Sequence, residues 1–275
     1  MALVNMREML ASARKEKRAI GAFNVVNYET AAAVLKGAEA ENEPVIIQLY
    51  MRLFDTGKAC DLADMLRHLA MRGKVPVALH LDHGATVKQA EDALAWGYTS
   101  VMYDGSRSPY DENVKWTRYV ADAAHSKGAT CEGEIGHVAM GDETALTDID
   151  EAVRFAQATG VDALAVSIGT VHGYYKAEPK LDIARCAAIA DVLPETPLVL
   201  HGGSGTPLAD VRRAIEAGIA KINIATEFLD DYIKTTLKVF GDLNGGFVPP
   251  DKLEDPIIDA CAAHVQRLVK FFSGR

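Results

Sequence analysis

Eight short apolar runs alternate with longer amphipathic segments along the 275 residues of this chain. Apolar runs without internal polar alternation are typical of parallel strands that helices cover on both faces. The runs lie at 19–23, 45–49, 77–81, 100–103, 130–135, 163–167, 198–200 and 220–224, and the helical segments that follow them at 28–41, 60–71, 87–96, 110–127, 149–159, 183–192, 208–217 and 227–239.

This alternation predicts an α/β fold, a (β/α)8 TIM barrel, in a single domain over residues 1–275. An extra C-terminal helix is expected at 254–272, packed across the barrel or against a neighbouring subunit. A doubly wound open sheet, which uses the same alternation of strands and helices, is the alternative.

The charge of the chain argues against two kinds of partner. With 29 basic and 38 acidic residues the formal net charge is −9, which disfavours binding to nucleic acid or to an anionic membrane surface. No apolar stretch approaches the roughly 18 residues of a membrane span, and the charged segment 1–20 lacks the apolar core of a signal peptide. The cysteines form no CxxC pair, so we expect isolated thiols in the reducing cytoplasm: Cys60, Cys131, Cys186 and Cys261.

Polar side chains recur where the predicted strands end. In a barrel of this kind the active site lies at the carboxyl ends of the strands, so residues far apart in the sequence meet there. A set shared by most of the strand ends is hard to explain as solvated surface, and it predicts an active site. The set is Asn24, Asp82, His83, Asp104, Glu132, Glu134, His172, His201, Asn223 and Thr226.

Three members of this set are histidines, His83, His172 and His201. Three imidazoles with an open fourth position are the ligand pattern of a catalytic zinc ion, whereas structural zinc sites are closed by four protein ligands. His80 shares strand parity with Asp82, so we expect it to point into the barrel as a hydrogen-bonded core residue.

Further segments supply groups for substrate chemistry. The sequence at 201–205 is rich in glycine and precedes a helix, so its backbone N–H groups can approach an anion, as in the phosphate sites of many barrels. Asp82 adjoins a metal histidine, where it either exchanges a proton with a substrate hydroxyl or orients that histidine. Asp142 and Glu143 lie in a glycine-containing loop after the fifth strand. They are either catalytic carboxylates or ordinary solvated loop residues.

Seven segments match the motifs of a known family, in order along nearly the whole chain, at 21–24, 80–84, 100–106, 132–136, 168–175, 198–205 and 221–227. Through these motifs the chain resembles the class II, zinc-dependent fructose-bisphosphate/tagatose-bisphosphate aldolases. The resemblance implies a lyase that reversibly cleaves a ketose phosphate or bisphosphate into dihydroxyacetone phosphate and an aldehyde. It also implies a homodimer or homotetramer and a monovalent cation, Na⁺ or K⁺, near the phosphate.

The resemblance also assigns roles to individual residues. Asp82 corresponds to the catalytic proton donor. The implied metal positions are His83, His172 and His201 for zinc, and Asp104 and Glu134 for a second or alternative metal. The expected substrate-binding residues are Asn24, Gly173, Gly202, Gly203, Ser204, Asn223, Ile224, Ala225 and Thr226.

Two departures from the family pattern concern the aldehyde half of the site. The acidic stretch after the fifth strand is shifted, so either Asp142 or Glu143 is the expected base for the ketone. A serine that contacts the phosphorylated aldehyde in some members is replaced by Tyr50, with Arg52 and Arg107 as candidate replacement contacts. We therefore expect the preferred substrate to differ from fructose 1,6-bisphosphate.

Two rival functions share parts of this pattern. A metal-dependent sugar-phosphate isomerase or epimerase uses the same enediolate chemistry, and a sugar-phosphate-binding protein would carry a degenerate site. A Schiff-base mechanism needs a lysine at the strand ends. Lys221 is expected at the amino-terminal end of the eighth strand, the wrong end for catalysis.

Overall fold

The computed structural model describes residues 3–138, 145–173, 175 and 179–275. Eight parallel strands hydrogen-bond in sequence order and close into a barrel, which confirms the predicted barrel and excludes the open sheet. The strands are Ile20–Asn24 (β1), Val45–Tyr50 (β2), Val77–Gly84 (β3), Ser100–Tyr103 (β4), Thr130–Ile135 (β5), Ala163–Val166 (β6), Leu198–Leu200 (β7) and Ile219–Ile224 (β8).

The helices of the described residues cover the barrel. They are Arg7–Lys15 (α1), Tyr28–Glu41 (α2), Arg52–Asp55 (α3), Lys58–Arg72 (α4), Val87–Ala95 (α5), Tyr110–Ser126 (α6), Ile149–Thr159 (α7), Ile183–Val192 (α8), Leu208–Glu216 (α9), Thr226–Gly241 (α10) and Asp251–Phe272 (α11). The expected extra C-terminal helix is α11, whereas α1 and α3 are additions to the predicted set. Within the described part of the chain, no helix combines the length and the hydrophobicity of a transmembrane segment.

Helix α1 closes the amino-terminal end of the barrel. Met6, Met9, Leu10 and Ala13 pack into one buried cluster with strand residues, many of them small, that line the interior at this end. Their spacing is that of an amphipathic helix, a signal that the scattered charges of the segment obscure. Because this end is filled with apolar side chains, the polar side chains of the interior lie toward the carboxyl end. The strand residues of the cluster are Ile20, Ala22, Ile46, Ala78, Ala163, Ala165, Val199 and Ala220.

Helix α11 packs on the outside of the barrel, against α2, α10 and strand β1. A Cβ atom on Gly37 of α2 would lie 2.7 Å from the backbone oxygen of Ala262 in α11. Glycine at this position therefore permits the close approach of the two helices. The carbonyl oxygen of Phe272 accepts a hydrogen bond from the Ala19 N–H at 3.0 Å, which ties the end of α11 to the start of β1.

Strand β3 contains a bulge near its carboxyl end. Leu81 and Gly84 of β3 pair with Val101 and Tyr103 of β4, so β3 carries one more residue than its neighbour between these pairs. His83, inside the bulge, has a left-handed backbone with φ of 53°. An extra residue breaks the regular alternation of side chains between the two faces of a strand.

Candidate active site

The β3 bulge turns two consecutive side chains toward the mouth of the barrel. A regular strand would point Asp82 and His83 to opposite faces. With its left-handed backbone, His83 instead lies beside Asp82, and its Nε2 atom is 3.9 Å from Asp82 Oδ1. Glycine is required at the next position because a Cβ atom on Gly84 would lie 2.4 Å from the backbone oxygen of Met102.

Three histidines from different strand ends converge beside Asp82. His83 Nε2 lies 2.8 Å from His201 Nδ1 and 3.2 Å from His172 Nε2. Tetrahedral zinc with Zn–N bonds of about 2.0–2.1 Å separates its ligand nitrogens by about 3.3 Å. The three nitrogens are therefore close enough to bind one metal ion together. The structure brings together the histidines that the sequence analysis singled out.

Each of these histidines turns its other ring nitrogen to an acceptor. The pairs are His83 Nδ1 with Asp104 Oδ2 at 2.7 Å, His172 Nδ1 with the Val138 oxygen at 2.9 Å, and His201 Nε2 with Glu132 Oε1 at 2.8 Å. A proton held at the outer nitrogen leaves the inward nitrogen free to bind a metal. These partners therefore orient all three rings toward a common point.

The charges around His83 favour a cation. Burial opposes a charged imidazole, but Asp82, together with Asp104 and Glu134, outweighs burial and raises the pKa of His83 to about 10. Burial and the charge on His83 lower the pKa values of the other two histidines, that of His172 to about 4. Without a metal, one proton on His83 thus balances the surrounding carboxylates, and a divalent cation bound here would take over that role.

Asp104 and Glu134 form a second group with His83 that could hold a metal ion. Burial raises the pKa of Glu134 to about 8, and the nearby charge of Asp104 adds to this shift. Burial would also raise the pKa of Asp104, but hydrogen bonds from His83 and Ser106 lower it well below its usual value. The two carboxyl groups therefore differ in charge at neutral pH, with Asp104 ionised.

Asp82 is held by two amides. Asn24 Nδ2 donates to Asp82 Oδ2 at 2.8 Å, and Asn223 Nδ2 donates to Asp82 Oδ1 at 3.0 Å. Gln48 in turn donates to Asn24 Oδ1 at 2.8 Å. Asp82 is only 4% exposed, so these bonds fix its carboxylate at the base of the mouth.

The glycine-rich loop after β7 lies against the start of α10. Gly202 has φ of 65°, and a Cβ atom there would lie 2.4 Å from the Val171 carbonyl oxygen, so only glycine fits. Ser204 Oγ accepts a hydrogen bond from the Ala225 N–H at 3.1 Å. Helix α10 begins at Thr226, and the N–H groups of a helix start attract anions. The loop and the start of the helix together form a corner at the mouth with the kind of N–H groups that attract anions.

Two more of the expected substrate-binding residues, Gly203 and Ile224, border the same corner. A Cβ atom on Gly203 would lie 2.8 Å from the backbone oxygen of Asn223, so this loop runs directly over β8. The side chain of Ile224 belongs to the hydrophobic core, so only its backbone can serve a ligand. Gly173, with φ of 89°, follows His172 in the loop after β6.

Tyr175 links the loops that follow β6 and β7, a role that the sequence analysis missed. Its hydroxyl donates to the Gly202 carbonyl oxygen at 2.7 Å and accepts from the Val171 N–H at 3.4 Å. Val171 precedes the metal-site residue His172, and Gly202 follows His201. The Gly-Tyr-Tyr motif at 173–175 was the available signal, but the sequence alone does not say which partner this tyrosine meets.

Tyr50 is the last residue of β2 and lies beside His83 at the mouth of the barrel. Its ring makes an edge contact with the His83 ring, with centroids 5.9 Å apart. The exposed guanidinium of Arg52 lies over the Tyr50 ring, 4.9 Å from its centroid. The exposed Arg107 donates to His137 Nε2 at 3.2 Å. Two cationic side chains thus border the space beside Tyr50.

Lys221 lies in the first half of β8, as the sequence analysis expected, but its side chain extends toward the other end of the strand. Leu198 and Val199 of β7 pair with Ile219 and Lys221 of β8, so β8 carries an extra residue. This irregularity directs Lys221 into the barrel, where its Nζ atom donates to Asn223 Oδ1 at 2.8 Å. The side chain therefore points toward the catalytic end, although its backbone lies in the first half of the strand.

Two expected residues, Asp142 and Glu143, lie outside the described residues. The core histidine prediction is confirmed, since His80 is fully buried and its Nδ1 pairs with Ser100 Oγ at 2.8 Å.

A family model described as fructose-bisphosphate aldolase class-II matches residues 4–275 of this chain. The chain belongs to the class II fructose-bisphosphate aldolase family. A fructose-bisphosphate aldolase of Geobacillus stearothermophilus is 39% identical over 279 residues, which cover 96% of this chain and 95% of that protein. A 6-phospho-5-dehydro-2-deoxy-D-gluconate aldolase of Halalkalibacterium halodurans is 43% identical over 237 residues, covering 83% and 82% of the two chains.

Solved structures of aldolases share the fold. The YdjI aldolase of Escherichia coli superposes with a TM-score of 0.88 at 33% identity, over 98% of this chain and 97% of that one. Membership in the family makes this chain a lyase and an aldolase that acts on a sugar phosphate. Class II aldolases are typically metal-dependent, in agreement with the cluster of histidine and carboxylate ligands described above.

Proposed function

We propose that this chain is a zinc-dependent aldolase that reversibly cleaves a ketose phosphate to dihydroxyacetone phosphate and an aldehyde. The observation that carries the proposal is the convergence of three metal-facing histidine nitrogens beside the buried carboxylate of Asp82. One barrel domain over residues 1–275 would hold the whole site.

The donor set supports zinc in particular. Three imidazole nitrogens match the protein ligands of a catalytic zinc site, and imidazole is a ligand that zinc prefers. Asp104 and Glu134 are candidates for a second or alternative metal position next to His83. When bound, zinc would act as a Lewis acid that polarises the substrate ketone and stabilises the negative charge on its oxygen.

The residues of the chain would supply the proton transfers. In the cleavage direction Asp82 takes the proton of the hydroxyl that is β to the ketone while the carbon–carbon bond breaks, and in condensation it returns that proton. The amides of Asn24 and Asn223 hold its carboxylate in place for both directions. Either Asp142 or Glu143 would exchange the proton at the carbon of dihydroxyacetone phosphate that forms the new bond.

The phosphate of dihydroxyacetone phosphate would bind in the corner between the loop after β7 and the start of α10. The donors there are the backbone N–H groups of Gly203 and Thr226 and the hydroxyl of Ser204. Gly173 would also serve the substrate, and the space around it is open, since nothing lies within 4 Å of a Cβ atom built there. A monovalent cation, Na⁺ or K⁺, beside the phosphate is part of the proposal.

The aldehyde half of the substrate would carry an anionic end that is not a phosphate. Tyr50 fills space beside His83, whereas Arg52 and Arg107 bring positive charge to the rim. The Halalkalibacterium relative is named for a substrate whose retro-aldol cleavage gives dihydroxyacetone phosphate and an aldehyde that ends in a carboxylate. Guanidinium groups pair with carboxylates through two parallel hydrogen bonds, so the rim of this site suits such an aldehyde.

The assembly would be a homodimer or homotetramer that acts in the cytoplasm. Helix α10 presents Ile233, Leu237 and Phe240 to solvent, with exposures of 55%, 68% and 53%, at the spacing of one helix face. Exposed apolar faces of this kind are typical of subunit interfaces. Light scattering of the wild type and of Leu237→Glu tests this interface. The glutamate charge should prevent the subunits from associating, so the measured molecular mass should fall to that of a monomer.

The decisive experiment is a screen in the condensation direction. Dihydroxyacetone phosphate is offered with glyceraldehyde 3-phosphate, with neutral aldehydes and with aldehydes that end in a carboxylate, and products are identified by mass. We expect the highest kcat/KM with a carboxylate-ended aldehyde. A kcat/KM for fructose 1,6-bisphosphate above that for every other ketose phosphate would contradict the proposed substrate. The second candidate, an isomerase or epimerase, would interconvert sugar phosphates and release no dihydroxyacetone phosphate.

A further inference from the structure

A buried ion pair lies in the barrel interior beneath the metal-site histidines. Lys221 Nζ is 2.8 Å from Glu132 Oε2, and both side chains are fully buried. Burying two charges carries a large desolvation penalty, so such a pair is weak evidence for stability. Each of the two side chains also contacts a residue of the site.

The carboxylate of Glu132 leads to the metal site. Its Oε1 atom pairs with His201 Nε2 at 2.8 Å, and the opposite nitrogen, His201 Nδ1, faces His83 Nε2. An ionised carboxylate only accepts hydrogen bonds. Glu132 therefore keeps the ring proton of His201 on Nε2 and leaves Nδ1 free to bind a metal.

The ammonium of Lys221 leads to the catalytic carboxylate. It donates to Asn223 Oδ1 at 2.8 Å, and Asn223 Nδ2 donates to Asp82 Oδ1 at 3.0 Å. An ammonium only donates, so it pairs with the oxygen of the Asn223 amide and not with its NH₂ group. The amide is thereby fixed with its NH₂ group toward Asp82, because the reversed amide would put two donors together at Lys221 and two acceptors together at Asp82.

We infer that Lys221 and Glu132 are positioning residues that act as one unit: Glu132 sets the metal-binding nitrogen of His201, and Lys221 sets the orientation of Asn223 against Asp82. The opposite charges of the pair determine the orientation of two neutral groups, a ring and an amide. One ion pair thereby links metal affinity to proton transfer. The inference rests on the proposed function for its kinetic part and on metal binding alone for the other part.

The test compares Glu132→Gln, Lys221→Met and the double variant with the wild type. Zinc affinity is measured by competition with a chromophoric chelator, and kcat is measured at saturating zinc. Thermal unfolding monitors the fold. The double variant removes both charges together, so it avoids leaving one unpaired charge in the interior and remains folded where a single variant does not. Thr159→Val, which removes a buried hydroxyl on α7 far from the ion pair, serves as the control for lost stability.

We expect Glu132→Gln to bind zinc about 10–100-fold more weakly, as measured when the partner of a metal histidine is lost. Lys221→Met should lose tenfold or more in kcat at saturating zinc, and the double variant should show both losses. Thr159→Val should change neither quantity. A folded double variant with wild-type zinc affinity and wild-type kcat would overturn the inference, as would a folded single variant without its expected loss.

The proposed function can fail separately. If the wild type binds zinc but cleaves no ketose phosphate, the proposed aldolase reaction is wrong, while the loss of zinc affinity in Glu132→Gln still tests the positioning of His201. If the wild type is an active aldolase and zinc affinity is the same in the wild type and in folded Glu132→Gln, the proposed function stands and the inference fails.

Discussion

The two aspartates that flank His83 should have separable effects on catalysis and on metal binding. Asp104 Oδ2 pairs with His83 Nδ1 at 2.7 Å, a hydrogen bond that orients the ring. Asp82 Oδ1 lies 3.9 Å from His83 Nε2, too far for a hydrogen bond, and it is held by amides instead. Asp82 should therefore act on the substrate, and Asp104 on the metal ligand.

The expected magnitudes follow from these contacts. Asp82→Ala should lower kcat by about 10²–10⁴-fold, the usual contribution of a general acid–base group, or about 3–5 kcal/mol of transition-state stabilisation. Its zinc affinity should stay within a few-fold of the wild type. Asp104→Ala should weaken zinc binding by about 10–100-fold, and added zinc should restore most of its kcat.

Chelator competition and steady-state kinetics over a zinc series measure both quantities on the same preparations. The reasoning is refuted if Asp82→Ala loses zinc in proportion to its activity, because Asp82 would then act only by supporting His83. It is also refuted if Asp104→Ala remains inactive at saturating zinc while binding zinc with normal affinity.

Four further results are expected. Chelation should abolish cleavage and Zn²⁺ or Co²⁺ should restore it, whereas full turnover of a metal-free sample would exclude the zinc mechanism. The pKa of His83 is raised to about 10 without a metal, so its proton stabilises the metal-free fold below about pH 6.5, and this contribution is lost as the pH rises through about 10. Zinc must displace that proton, so zinc affinity should increase about tenfold per pH unit between about pH 7 and 9. A zinc affinity that does not change over this pH range would contradict the prediction. One of Asp142 and Glu143 should be needed for solvent deuterium exchange into dihydroxyacetone phosphate and the other dispensable, and unchanged exchange in the double variant would exclude both. Gly84→Ala should lower the free energy of unfolding by about 1–3 kcal/mol and weaken zinc binding, because the added Cβ atom would lie 2.4 Å from the Met102 backbone oxygen. The control is Gly241→Ala, which has open space around it and should change neither quantity.

The barrel and the set of residues at its mouth were predictable from the sequence. The order of apolar runs in the sequence matches the order of strands in the structure. Strands such as Ser100–Tyr103 and Thr130–Ile135 begin and end where the sequence pattern predicts. The meeting of His83, His172 and His201 follows from the topology, because the carboxyl ends of parallel strands share one end of the barrel.

The missing parts depend on contacts between distant segments. The direction of Lys221 follows from an irregular pairing of β8 with β7, and strand register is decided by tertiary packing rather than by the local pattern. The hydrogen bond of Tyr175 to the Gly202 oxygen joins two loops, and neither loop alone indicates it. Helix α1 is a different case, since its apolar spacing was present in the sequence and was overlooked.

The bulge in β3 has a consequence for how this site tolerates motion and change. Asp82 and His83 are neighbours along the backbone, so their Cα atoms are held about 3.8 Å apart by a single peptide unit. The loops that contribute the other ligands can shift with temperature, with substrate or through mutation, but they cannot alter this separation. The proposed proton-transfer residue and one proposed metal ligand therefore move together with the same stretch of backbone. Substitutions around Tyr50 and in the loops can therefore accumulate while the backbone separation of Asp82 and His83 stays the same.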